Sequence, residues 1–189
     1  MKQELTKKFF EQRRAELDSP FNEIKADLQE LADYFYPRSV RFLAKNVNKT
    51  NKRRNKKILD STPITAVRNF SSGMMSGATS PAQNWFRFKI RNYNMENDHE
   101  VKSWCAQVEK LMRDAFNASK IYTKLPIIYK QLGVFGFAAL SLESDYDDIF
   151  VCKVLPIGSY RYAKNYKGQV DTFVREYSET AKNIVEQFG

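Results

Sequence analysis

The apolar pattern of this chain changes period, and the change falls at Gly133 and Gly136. Before these glycines the apolar residues mostly recur every three or four positions, which puts them on one face of a helix. After them come short alternating or continuous apolar runs bounded by turn residues, the pattern of strands. Read this way, the 189 residues give helices, one early strand, helices, a group of strands and a final helix. That order predicts an α+β fold, with helices packed on a mostly antiparallel sheet and an N-terminal helical arm.

Prolines and caps divide the helical part. A polar helix is expected over roughly 2–17, anchored by Leu5, Phe9 and Leu17. Ser19-Pro20 is a restart signal, since serine caps a helix and proline suits its first turn. Phe21, Ile24, Leu28, Leu31 and Phe35 then share one face, and Pro37 ends the helix. Residues 1–37 thus form either a helical hairpin or an arm lying along a neighbouring subunit. Asp60-Ser61-Thr62-Pro63 starts another helix, with Ile64, Val67, Phe70 and Met74 on its apolar side. Its other side carries small residues, Ala66, Asn69, Gly73 and Gly77. Glycine costs about 1 kcal/mol in a helix interior, so Gly73 and Gly77 are candidates for close packing against another backbone.

After its first residue, 85–90 alternates apolar and basic, which predicts a half-buried strand with Trp85 and Phe86 as core anchors. Asn97 and Glu100 resemble a capping box. Val101, Trp104, Cys105, Val108, Leu111, Met112 and Ala115 follow on one helix face, with Trp104 the third expected anchor. A shorter helix is expected over 124–132, with Pro126 in its first turn. Strands over 137–142, 149–154, 159–162 and 170–177 predict an antiparallel meander, and Thr180 caps a last helix over 181–188.

The chain carries 31 Lys and Arg against 22 Asp and Glu, a net charge of +9. Nine of the positive residues are Arg38, Arg41, Lys45, Lys49, Lys52, Arg53, Arg54, Lys56 and Lys57, and 38–57 contains no acid. Removing the nine leaves 22 against 22, so one segment holds the entire excess. It has four asparagines and little periodicity, which predicts an exposed basic loop. Such a loop neutralises phosphates without sequence preference. Only Phe42 offers an aromatic platform within it, so any nucleic-acid contact would be to the backbone. The same charges equally suit contact with acids of a neighbouring subunit, or a solvated loop.

Catalytic chemistry finds little to use. The single histidine, His99, sits at an expected helix start between Asp98 and Glu100, where a solvated cap neighbour is the plain reading. With one His and the separated Cys105 and Cys152, the usual zinc ligand spacing does not occur. The two thiols read as reduced core residues. Asp145, Asp147 and Asp148 lack the glycine and closing glutamate of a calcium loop and read as a polar hairpin turn. There is no phosphate-binding Gly-Lys-Ser/Thr loop, and Ser71-Ser72-Gly73 is no nucleophile elbow. No apolar run is long enough to span a membrane, and the start at Met1-Lys2-Gln3-Glu4 has no apolar signal-peptide core. The expectation is a non-enzyme with no catalytic residue, cofactor or metal.

The stretch 58–88, ILDSTPITAVRNFSSGMMSGATSPAQNWFRF, places an aspartate before a helix, then GMMSG-TSP, then WF. This resembles the portal proteins of short-tailed bacteriophages, the head-to-tail connectors. Later blocks agree in order. Asn117-Ala118-Ser119-Lys120-Ile121-Tyr122 resembles a serine-then-aromatic step between helices. Gly133-Val134-Phe135-Gly136-Phe137-Ala138 resembles a turn into a strand, with Phe137 in place of a small polar residue. Leu155-Pro156-Ile157-Gly158-Ser159-Tyr160 and Val174-Arg175-Glu176-Tyr177 with Thr180 complete the series, together with Gln187-Phe188-Gly189. The resemblance implies a structural ring subunit, usually one of twelve, at a unique capsid vertex of the virion. Double-stranded DNA would be packaged and ejected through its channel. It implies capsid, scaffolding, packaging-motor (terminase) and tail-adaptor partners, and assembly in the host bacterial cytoplasm. It also implies that 58–189 is a wing-like domain; members of that family are considerably longer, and their stem, clip and crown are not recognisable here, which leaves a fragment and a whole gene product both open. The alternative from composition alone is a stand-alone basic nucleic-acid-binding module.

Overall fold

A computed structural model of the chain describes residues 6–37, 58–90, 98–146 and 149–188. The fold is α+β. Helices α1 (Lys7–Phe35), α2 (Thr62–Ala78), α3 (His99–Ala118) and α4 (Ile121–Phe135) precede the strands. Strands β1 (Ala139–Asp145), β2 (Ile149–Leu155), β3 (Tyr160–Lys164) and β4 (Val170–Arg175) follow, and α5 (Ala181–Phe188) comes last. Two compact units share the chain: Met1–Lys57 with Pro156–Gly189, and Ile58–Leu155. The second is therefore inserted in the sequence of the first.

In the inserted unit, α2 packs along α4. Ser71 is buried and its hydroxyl donates to the Pro126 carbonyl at 2.8 Å, while Thr79 and Tyr129 share a hydroxyl hydrogen bond of 2.7 Å. Gly133 admits the Phe70 ring; a Cβ there would sit 2.8 Å from it. Helix α4 starts earlier than expected, so Pro126 lies past its first turn. The proline removes the bond that Tyr122 would accept. Ile121 on one side of it and Tyr129 and Val134 on the other are buried, and packing holds a turn that propensity alone would lose. Gly136 closes α4 in the left-handed region, φ 75°, donating its N–H to Leu132 at 2.9 Å.

The four expected strands are present, but as two separate antiparallel hairpins and not one meander. Leu142 faces Cys152 in β1–β2, and Tyr162 faces Phe173 in β3–β4. Pro156 after β2 lacks the N–H a continuing ladder would use, and Gly158 in the turn that follows has a φ of 91°. The hairpins fall in different units.

The first helix differs as well. Two helices with a break at Ser19-Pro20 were expected; α1 runs through as one, capped by Thr6 and containing Pro20. Leu17, Phe21, Leu28 and Ala32 are buried and continue one stripe past the proline. Their burial offsets an interior proline, which costs about 3 kcal/mol. The last helix matches its expectation: the Thr180 hydroxyl accepts the Asn183 N–H at 3.4 Å. Among the described residues no helix is long and apolar enough to cross a membrane. Cys105 and Cys152 are both buried and unbridged.

Candidate assembly surface

The basic residues Arg38, Arg41, Lys45, Lys49, Lys52, Arg53, Arg54, Lys56 and Lys57 lie outside the described residues, as do Asp147 and Asp148. What the structure does define is how much apolar surface each unit leaves uncovered, and which polar contacts hold the exposed elements in place.

In the inserted unit, the strand expected over 85–90 does not form: these residues have no regular secondary structure and pair with no strand among the described residues. The segment docks on α3 through side chains. Trp85 stacks on Phe116 with centroids 5.9 Å apart and donates its indole N–H to the Tyr122 hydroxyl at 3.1 Å. Phe86 meets Phe116 edge-on, and Phe116 meets Phe150 of β2 in the same way. The Glu109 carboxylate accepts the Phe88 backbone N–H at 2.8 Å, and Arg113 donates to the Asn84 side chain. Trp85 and Phe86 are half-buried in this cluster. Trp104, the third expected anchor, is 59% exposed, and Leu111 one heptad later is 67% exposed. At about 100° per residue the large apolar residues of α3, from Leu111 round to Phe116, span an arc of roughly 140°. The chain covers only the side with Cys105, Met112 and Phe116, which leaves Trp104 outside. A Cβ at Gly73 or Gly77 would meet nothing within 4 Å, so the close approach within the described chain is at Gly133 instead.

Among the described residues, helix packing on the β1–β2 hairpin falls on β2. Helix α4 packs on β2, where Cys152 and Leu155 are buried and Gln131 donates its amide to the Leu155 carbonyl at 3.4 Å. Burial pushes the Cys152 thiol up, against a smaller opposing effect of Lys124. On the outer strand β1, Leu140 and Leu142 are exposed, Leu142 to 57%.

In the other unit, α1 is fastened to β3–β4. The Arg161 guanidinium lies 3.5 Å from the Phe21 ring centroid and donates to the Asp18 carboxylate at 2.9 Å. It also donates to the Gly158 and Tyr160 carbonyls, each at 2.9 Å. Arg14 reaches Glu176 at 2.7 Å, and Arg13 donates to the Thr172 hydroxyl at 3.3 Å. On the other hairpin face, Tyr160 stacks on Phe173 at 5.4 Å. Tyr160 is buried, and desolvation, with a lesser effect of Tyr162, pushes its hydroxyl pKa up to about 12. Tyr162 and Phe173 are exposed beside it, and Ile184 and Val185 of α5 are exposed too.

Hydrophobic periodicity could not have found the Arg161–Asp18–Phe21 group, because its partners are 143 residues apart. Among the described residues no cluster of three His, Cys, Asp or Glu side chains suits a metal ion. What these features leave exposed is apolar: Trp104, Leu111, Leu142 and Phe173.

Residues 7–189 match the family model described as bacteriophage head to tail connecting protein. The chain is 39% identical over 175 residues to the portal protein of Salmonella phage epsilon15, covering 93% of this chain and 31% of that protein. It is 37% identical over 161 residues to the probable portal protein of Bordetella phage BPP-1, covering 85% of this chain and 29% of that one. The chain therefore belongs to the bacteriophage head-to-tail connecting protein family. It spans about a third of the length of the curated relatives it matches.

Proposed function

We propose that this chain is the wing portion of a portal subunit, a structural protein and not an enzyme. The subunits form a ring at the unique capsid vertex through which phage DNA is packaged and ejected and to which tail proteins attach. The carrying observation is the family match over 7–189, together with 39% identity to a portal protein. Exposed Trp104, Leu111, Leu142 and Phe173 add to it, since a ring subunit presents apolar surface to two neighbours. In this reading 1–37 is an arm and 38–57 a basic loop, and 58–189 forms the wing-like domain. A twelve-subunit ring, scaffolding, terminase and adaptor partners, and assembly in the host cytoplasm belong to the same proposal.

Electron microscopy of particles from the producing phage tests it. Density for this chain is expected at one vertex only, and its absence there would falsify the reading. The basic loop is proposed to meet DNA backbone or acids of a neighbouring subunit. Replacing the positives between Lys52 and Lys57 by glutamine separates these: DNA contact predicts that DNA affinity falls and its salt dependence flattens, subunit contact that assembly falls instead.

A further inference from the structure

The sequence of 86–90 has a strand's alternation, yet the segment forms no regular secondary structure and has no strand partner among the described residues. Its one described backbone hydrogen bond is the Phe88 N–H to Glu109. Trp85 and Phe86 dock it against Phe116 of α3, and among the described residues its backbone joins no ladder. The same unit holds a second incomplete edge. Strand β1 is the outer strand of a two-stranded sheet, exposes Leu140 and Leu142, and contains neither lysine nor proline, the residues that usually guard an edge. A two-stranded sheet is marginal by itself, and a third strand makes it stable.

We propose that the 85–90 segment of one copy adds to the β1 edge of the next, joining subunits by a shared sheet. This rests on the reading of the chain as a ring subunit, where a head-to-tail contact needs two unlike surfaces on each copy. The two edges supply them. Phe86, Phe88 and Ile90 alternate with Arg87 and Lys89, while Leu140 and Leu142 alternate with Ser141, Glu143 and Asp145. Placing Phe88 opposite Leu142 matches apolar with apolar on one face and basic with acidic on the other. The match survives either strand direction. A parallel pair sets Phe86 beside Leu140 and Lys89 beside Glu143. An antiparallel pair sets Ile90 beside Leu140 and Arg87 beside Glu143. Glu143 already pairs with Lys153 across β1–β2, so the incoming cation would extend a charge ladder.

The test uses the protein as the phage makes it, with Phe88→Cys and Leu142→Cys introduced together and oxidised after assembly. Disulfide geometry admits only closely facing residues, so about tenfold more cross-linked multimer is expected than from either single variant or from the native chain with its buried Cys105 and Cys152. A second variant, Leu142→Lys, is expected to reduce ring formation while leaving the thermal melt of the subunit unchanged. Rings that assemble without the 88–142 cross-link, or that form normally with Leu142→Lys, overturn the pairing and leave the portal reading standing. Failure to find any ring in the native protein overturns both.

Discussion

Gly133 and Gly73 are both glycines inside helices, and they predict opposite outcomes. Alanine at Gly133 drives its Cβ to 2.8 Å from the Phe70 ring. Overpacking of this kind costs about 1–3 kcal/mol, against a helix-propensity gain near 1. Gly133→Ala is therefore expected to lower stability by about 1 kcal/mol in urea denaturation. Gly73→Ala meets nothing within 4 Å and is expected to raise it by roughly 0.5–1 kcal/mol in the isolated chain. Arginines divide in the same way. Arg161 combines a ring contact, a carboxylate and two carbonyls with a side chain 16% exposed. Removing it leaves Asp18 with the longer Arg14 pair at 3.6 Å and the two carbonyls without their donor, so Arg161→Ala is expected to cost about 1–3 kcal/mol. The Arg14–Glu176 pair is open to water on both sides, and Glu176→Gln is expected to change stability by less than about 1 kcal/mol. Tyr160 predicts a pH dependence. Its folded pKa, about 12, lies above the ordinary value of 10.0, so the stabilisation is complete below pH 10 and is lost as pH rises toward 12. The stability curve of Tyr160→Phe should be flatter than that of the native chain across this window.

At the scale of elements, the caps and local periods were legible and the long-range pairings were not. Thr180, Gly136 and the run from Asp60 to Pro63 mark ends of α5, α4 and α2 because each acts within one turn of itself. Pro20 and Pro126 misled for a related reason. A proline's local cost is readable, but the burial of Leu17 and Phe21, or of Ile121 and Tyr129, that outweighs it depends on distant segments. Pro20→Ala is thus expected to stabilise the chain by about 1–3 kcal/mol, read as a higher urea midpoint. The alternation in 86–90 predicted a strand that the described chain does not form, because alternation fixes a face but supplies no ladder partner. Trp104 was expected inside because α3 has a wide apolar arc, and the arc is wider than the core behind it. Trp104→Ser should leave the isolated chain within about 1 kcal/mol of native stability, since an exposed side chain has little burial to lose.

For the whole molecule, the family was legible because its blocks are short, ordered and local, whereas the division into units was not. The unit boundaries near Lys57 and Leu155 follow from contacts between the two ends of the chain, which no local signal encodes. That interruption has a consequence for synthesis. Helix α1 leaves the ribosome long before the strands that hold it, because Asp18 precedes Arg161 by 143 residues. At translation rates of roughly 5–20 residues per second, the nascent helix waits on the order of ten seconds with its Leu17–Phe21 stripe unmet. The inserted unit, by contrast, has its whole sequence available by Leu155 and can collapse first. Chaperone dependence during translation should therefore concentrate on the first forty residues or so, and should ease once β4 has emerged.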